Sequence, residues 1–142
     1  MTRINVVHPS ELTQKHLVAE YRELPRMFGL MRDRYNKGQF PDQIKRPGQY
    51  VLGTGHMLFF IDKGLWLVNR QTALIIEMID RGYSPQHLNP KSLIEGLPHQ
   101  YLQDWQVSFE AVALNRRRLA ERLGLTYSEY QSTLVLAASP KA

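Results

Sequence analysis

His16-Leu17-Val18-Ala19-Glu20-Tyr21-Arg22-Glu23-Leu24-Pro25-Arg26-Met27-Phe28-Gly29-Leu30-Met31-Arg32-Asp33-Arg34-Tyr35 carries apolar residues at Leu17, Tyr21, Leu24, Phe28, Met31 and Tyr35, spaced 4-3-4-3-4. That spacing follows the 3.6-residue period of an α-helix with one continuous ridge turned toward a core. A start signal near Ser10 and a stop at Gly38 bound the helix, which should end at about Asn36. Pro25 falls inside it, where a proline removes a hydrogen bond and costs about 3 kcal/mol. Because the ridge keeps its phase across Pro25, a kinked but continuous helix is expected.

The same reading carried outward gives an all-α chain. Residues 37 to 56 hold four Gly, two Pro, Lys37, Lys45 and Arg46, and read as a long basic connection. A second helix is predicted from about Gly64 to Arg81, with Leu65, Val68, Thr72, Ile75, Ile76 and Ile79 inward and Gly82 beyond its end. Asn89-Pro90 opens a short helix that stops by Gly96. A third long helix is predicted from about Ser108 to Leu123, with Phe109, Val112, Leu119 and Leu123 inside and Arg116, Arg117, Arg118 and Arg122 crowded onto it. Thr126 and Glu129 have the spacing of a capping box for a weaker C-terminal helix. Strand-like runs are confined to Val51-Leu52 and Met57 to Ile61, both short. The aromatic residues Trp66, Trp105 and Tyr101 read as core anchors rather than platforms for bases.

Composition narrows the chemistry. A length of 142 residues with 43% hydrophobic content suits one domain, expected to span 1–142. The absence of cysteine removes disulfides, cysteine-ligated zinc and thiol nucleophiles. The histidines at 8, 16, 56, 87 and 99 lack ligand-pair spacing, so neither a metal nor another cofactor is expected. Gly53-Thr54-Gly55 has no Gly-Lys-Ser/Thr after it and reads as a tight turn, not a phosphate loop. The apolar run Met57 to Ile61 is far short of a membrane span, and Met1 to His8 lack the pattern of a signal peptide, so a cytoplasmic location is expected. The net charge is +5, and twelve of the 18 basic residues are Arg, which favours bidentate contacts with phosphate.

Two features could carry chemistry. Opposite the apolar ridge of the first helix lie His16, Ala19, Arg22, Glu23 and Arg26, one carboxylate among three potential cations. Such a face is either a solvated surface laced with ion pairs or an anion-binding surface with one acid/base group. Thr2 follows the initiator Met, and removal of Met1 before a small residue would free the Thr2 α-amine. An α-amine has a reference pKa of about 7.7 to 8.0, so part of it is already neutral and nucleophilic near pH 7, and the neighbouring Arg3 would lower it further. Most processed N-termini do nothing chemical.

Specific runs decide between these readings. Thr2-Arg3-Ile4-Asn5, Ser10-Glu11-Leu12, His16-Leu17, Ala19-Glu20-Tyr21-Arg22-Glu23-Leu24-Pro25-Arg26 and Phe28-Gly29 form one block. Leu52-Gly53-Thr54-Gly55-His56, Phe59-Phe60, Asp62-Lys63, Arg70-Gln71 and Arg81-Gly82 form another. Together they resemble the pyrimidine-dimer DNA glycosylase and abasic-site lyase family of the phage endonuclease V type, closely over residues 2–82 and sparsely beyond.

The resemblance implies a compact domain of three main helices with the N-terminal segment threaded between them. It implies that the Thr2 amine attacks C1′ of the 5′ nucleotide of a cyclobutane dimer, that an imine replaces the base, and that β-elimination then nicks the strand. Glu23 matches the catalytic acid and His16 an active-site histidine. Arg3, Arg22 and Arg26 match phosphate contacts, and Arg118 and Arg122 fall where the family has basic residues on its third helix. The expected partner is double-stranded DNA with a damaged base, which the family kinks while flipping out the opposite adenine. A monomer is expected, without membrane contact and associated with the nucleoid through DNA.

The match thins in three places. Ile61 stands where a tyrosine is expected, residues 84–107 diverge, and the tail Thr126-Tyr127-Ser128-Glu129-Tyr130-Gln131 lacks the family's dense aromatic and lysine stretch. Two alternatives therefore stand beside dimer excision. One keeps the imine mechanism and changes the base; the other is a helical DNA-binding module without catalysis.

Overall fold

A computed structural model describes residues 3–138, with side chains through 134. The chain is all-α, and no strand occurs among the described residues, only an isolated antiparallel bridge between Lys63 and Leu102. The helices are α1 (Gln14–Glu23), α2 (Arg26–Asn36), α3 (His56–Phe59), α4 (Gly64–Asp80), α5 (Phe109–Arg122) and α6 (Tyr127–Ala138). Short 3-10 turns at Pro9–Glu11, Pro41–Gln43, Pro90–Ile94 and His99–Tyr101 connect them.

The first long helix departs from expectation at both its start and its middle. Its cap is Thr13, whose side chain accepts from the His16 N–H, while Ser10 belongs to the preceding 3-10 turn. At Pro25 the helix divides. The Leu24 N–H still donates to the Glu20 carbonyl, but those of Met27 and Phe28 turn back only three residues, to Leu24 and Pro25. The backbone stays in the right-handed helical region at Leu24 and Pro25, so one tight turn joins α1 to α2. This is the least disruptive route past a residue without an N–H. The tighter turn rotates the second half of the ridge, so Met27 joins Leu17, Leu24, Phe28 and Met31 in the core while Tyr35 stays 39% exposed.

Helix α4 takes its expected span but a different face. Leu67, Val68, Gln71, Leu74, Ile75 and Met78 are buried, while Leu65, Ile76 and Ile79 are exposed. Apolar residues occur on every side of the helix, so periodicity alone leaves its rotation open. Docking against α1 decides it, through a salt bridge from Arg70 to Glu20 and a bond from Gln71 Nε2 to the Tyr21 carbonyl at 2.9 Å. Gly64, at its start, is required by close approach. A Cβ there would lie 2.7 Å from Leu102 Cδ2 and 2.8 Å from the Tyr101 carbonyl oxygen.

Helix α5 is capped by Ser108, as its sequence suggests, yet Phe109 is 83% exposed and Leu123 lies at the surface. Its inner face is Ala111, Asn115, Leu119 and Ala120, and the two alanines leave room for another segment. The Thr126–Glu129 capping box forms, with the Glu129 N–H on Thr126 Oγ1 at 3.1 Å and the Thr126 N–H on Glu129 Oε1 at 3.4 Å. Trp66 and Trp105 meet edge-on at 5.3 Å beside Phe59, Phe60 and Tyr50, and the buried Tyr101 donates to the Gln39 carbonyl at 2.6 Å. Gly53 and Gly55, at φ 71 and 88, make the expected turn into α3. One core runs from Ile4 through Phe60 and Leu74 to Tyr130.

Candidate active site at the threaded N-terminal segment

Ile4, Asn5, Val6 and Val7 are buried, although they pair with no strand. Buried backbone groups need partners, and here side chains supply them. His56 Nε2 accepts from the Ile4 N–H at 2.8 Å, and the Tyr50 hydroxyl donates to the Ile4 carbonyl at 3.0 Å. Asn115 Oδ1, from the middle of α5, accepts from the N–H groups of Val6 and Val7 at 2.7 and 3.1 Å. Arg70 Nη1, from α4, donates to the Val7 carbonyl. The segment is thus threaded among α1, α4 and α5.

Its one polar side chain is held equally closely. Asn5 Nδ2 donates to Glu20 Oε1 at 2.8 Å and Asn5 Oδ1 accepts from Asn115 Nδ2 at 2.8 Å. Glu20 receives two bonds from Arg70, at 2.7 and 3.0 Å, so each buried charge faces its counter-charge in a two-pronged contact. Sequence reasoning gave no role to Asn5, Glu20, Tyr50, His56, Arg70 or Asn115. A signal existed: Glu20 follows Leu17 by three residues and precedes Leu24 by four, on the apolar ridge, and Arg70 interrupts an apolar helix. Charges of opposite sign on two core-facing stripes demand each other.

Beside the thread lies a cavity of about 390 Å³ lined by Arg3, Asn5, Lys15, His16, Ala19, Glu20, Glu23, Leu119 and Arg122. His16, Ala19 and Glu23 follow one line along α1 and reach it together. Burial, then the charges of Arg122 and Arg118, pull the Arg3 guanidinium below its ordinary range, and Tyr50 and Glu23 oppose them. Burial, then Arg3, Lys15 and Arg122, hold the His16 imidazole below its usual value, so it is neutral at neutral pH. The half-buried Glu23 thus lies beside a neutral imidazole and among Arg3, Lys15 and Arg122, while Glu20 on the same lining is taken up by Arg70 and Asn5.

The predicted residues therefore separate. Arg3, His16, Glu23 and Arg122 share the cavity, and Arg118 acts on Arg3 through space while pairing with Glu121 at 3.5 Å. Arg22 does not join them, because one helical step from Glu23 turns it about 100°. It lines a second cavity of about 610 Å³ on the other flank of α1, with Tyr21, Pro25, Gln71, Leu88 and Pro90. Gln71 Oε1 is buried without a hydrogen-bond partner among the described residues. Arg26 is exposed at the first turn of α2, beyond Pro25, and belongs to neither lining. Thr2 lies outside the described residues. The neighbouring arginines of α5 are engaged in structure, Arg116 with Glu11 at 2.6 Å and Arg117 over the Tyr127 ring at 5.6 Å.

A family model described as pyrimidine dimer DNA glycosylase matches residues 1–91. The matched span contains the thread, α1, α4, the two cavities' α1 residues and every polar anchor except Asn115; it stops short of α5.

Proposed function

The chain belongs to the pyrimidine dimer DNA glycosylase family, and from that membership we propose that it excises cyclobutane pyrimidine dimers from duplex DNA through an imine at the Thr2 amine and then cleaves the strand as a lyase. That it is a DNA glycosylase, an enzyme acting on DNA, follows from the family. What supports the finer reading is the thread itself: the side chains of Glu20, Tyr50, His56, Arg70 and Asn115 fix the four buried residues that follow Arg3, beside a cavity lined by Glu23, His16 and the cations Arg3, Lys15 and Arg122.

In the reaction the neutral Thr2 amine gives its electron pair to C1′ of the 5′ nucleotide. The glycosidic bond breaks and its electron pair leaves with the base, which takes up a proton. Loss of the amine proton and opening of the C1′–O4′ bond give the imine. Removal of a C2′ proton then expels the 3′ phosphate. Glu23 exchanges the protons at the amine and O4′, within reach of the same cavity. Arg3, Arg122 and Arg118 hold the flanking phosphates, while Arg22 and Arg26 meet the backbone on the other flank of α1. The second cavity, lined in part by Pro25, Leu88 and Pro90, suits a flat flipped-out adenine. The same mechanism on another damaged base keeps every role but this pocket's partner.

The test is borohydride trapping on three matched duplexes, with a thymine dimer, an abasic site or no lesion. Adducts form on both modified duplexes, vanish when the N-terminus is blocked, and fall by about 100-fold or more in Glu23→Gln, which still binds DNA. Adducts on the abasic duplex alone transfer the chemistry to another base. Full trapping with a blocked terminus overturns the Thr2 assignment.

A further inference from the structure

His56 is 2% exposed, yet both ring nitrogens are engaged. Nε2 is 2.8 Å from the Ile4 nitrogen and Nδ1 is 2.7 Å from the Val51 carbonyl oxygen. A backbone N–H can only donate and a carbonyl can only accept, so Nε2 is bare and Nδ1 carries the proton. Only one neutral tautomer satisfies both. Local structure builds the ring into place: Gly55, at φ 88, opens α3, and its missing Cβ would lie 2.7 Å from Pro47 Cγ. The Tyr50 and Phe60 rings meet the imidazole edge-on at 5.5 and 5.6 Å. The charged and titratable groups facing it are Arg3, Glu20 and the Tyr50 phenol.

We propose that His56 is a positioning residue for the N-terminal amine, and that its Nδ1–H tautomer is the state that holds the thread in register for imine chemistry. The proposal rests on the reading of Thr2 as nucleophile. Tyr50 and His56 grip the two sides of Ile4, its carbonyl and its N–H. The amine of residue 2 is two residues from that N–H, at most about 7 Å of chain, so freedom at Ile4 reaches the amine almost undiminished. Misplacing a reacting group by about 1 Å costs on the order of 100-fold. Protonation of His56 sets two donors face to face at Ile4 and releases the grip. Burial above all, and then Arg3, hold the ring below its ordinary value against the pull of Val51 and Glu20. The grip therefore holds at neutral pH and is lost in acid.

The test combines trapping rates on an abasic duplex over roughly pH 5 to 8 with ¹⁵N spectra of the free wild-type ring. His56→Ala slows trapping about tenfold or more even when DNA is saturating. His56→Gln restores most of the rate, since its amide can accept from Ile4 and donate to Val51, and it flattens the acid limb. In the wild type Nε2 is unprotonated at neutral pH, and Ile4 amide exchange quickens as the ring titrates. A proton on Nε2 at neutral pH, an Ile4 amide indifferent to that titration, or wild-type trapping by His56→Ala overturns the proposal alone. No adduct with wild-type protein at any pH overturns the imine reading and this proposal with it.

Discussion

Arg122 and Arg116 lie six residues apart on α5, on different faces, and their surroundings give them different work. Arg116 is tied to Glu11 at 2.6 Å, and that bond raises its pKa above the ordinary arginine value. Arg122 lines the cavity and is close enough to Arg3 to depress it. A guanidinium crowded by another gains from a phosphate, whereas one already paired must first give up its carboxylate. Arg122→Ala should therefore reduce the salt slope of DNA binding by about 0.9, one phosphate contact, and Arg116→Ala should leave it unchanged. Binding isotherms at several salt concentrations decide this, and an unchanged slope in Arg122→Ala removes it from the phosphate contacts.

Among the elements, the packing of α1 on α4 turns on Glu20 and Arg70, whose side chains are 1% and 5% exposed. Such a pair adds little net stability over a well-packed apolar pair, because desolvation offsets the attraction, but removing one partner strands the other. Arg70→Met should cost about 3–5 kcal/mol in urea unfolding, and the double change Glu20→Leu with Arg70→Met clearly less. Equal losses would show that Arg70 acts mainly through its bond to the Val7 carbonyl. The break at Pro25 matters at this scale too. It ends α1 at Glu23, so that carboxylate stands in the last turn before the chain changes course.

For the molecule as a whole, buried neutral groups set the pH range of stability. His16 and His56 are both held below the ordinary histidine value, chiefly by burial. The unfolded chain thus binds protons first as pH falls, and stability drops progressively below about pH 6.5. Tyr50 and Tyr130 are raised above 10.0, again chiefly by burial, Tyr130 to about 12. Their ionisation in the unfolded chain lowers stability above about pH 10. Thermal midpoints should be level between these limits and fall on either side; a midpoint constant from pH 7 to 5 would contradict the histidine assignment.

By itself the sequence determined the helical class, the positions of α4, α5 and the Thr126 cap, and the residues of the matched block, because period, caps and short motifs are local properties. It also placed Glu23 and His16 on one helix line, since 3.6 residues per turn fixes that relation. The rotation of α4 and the exposure of Phe109 depended on neighbours distant in the chain. So did the work of Asn115 and His56, which bond to residues 108 to 110 and 52 positions away. Only the tertiary structure decided these, because a buried backbone segment without a strand partner takes its hydrogen bonds from whichever side chains the packing brings to it.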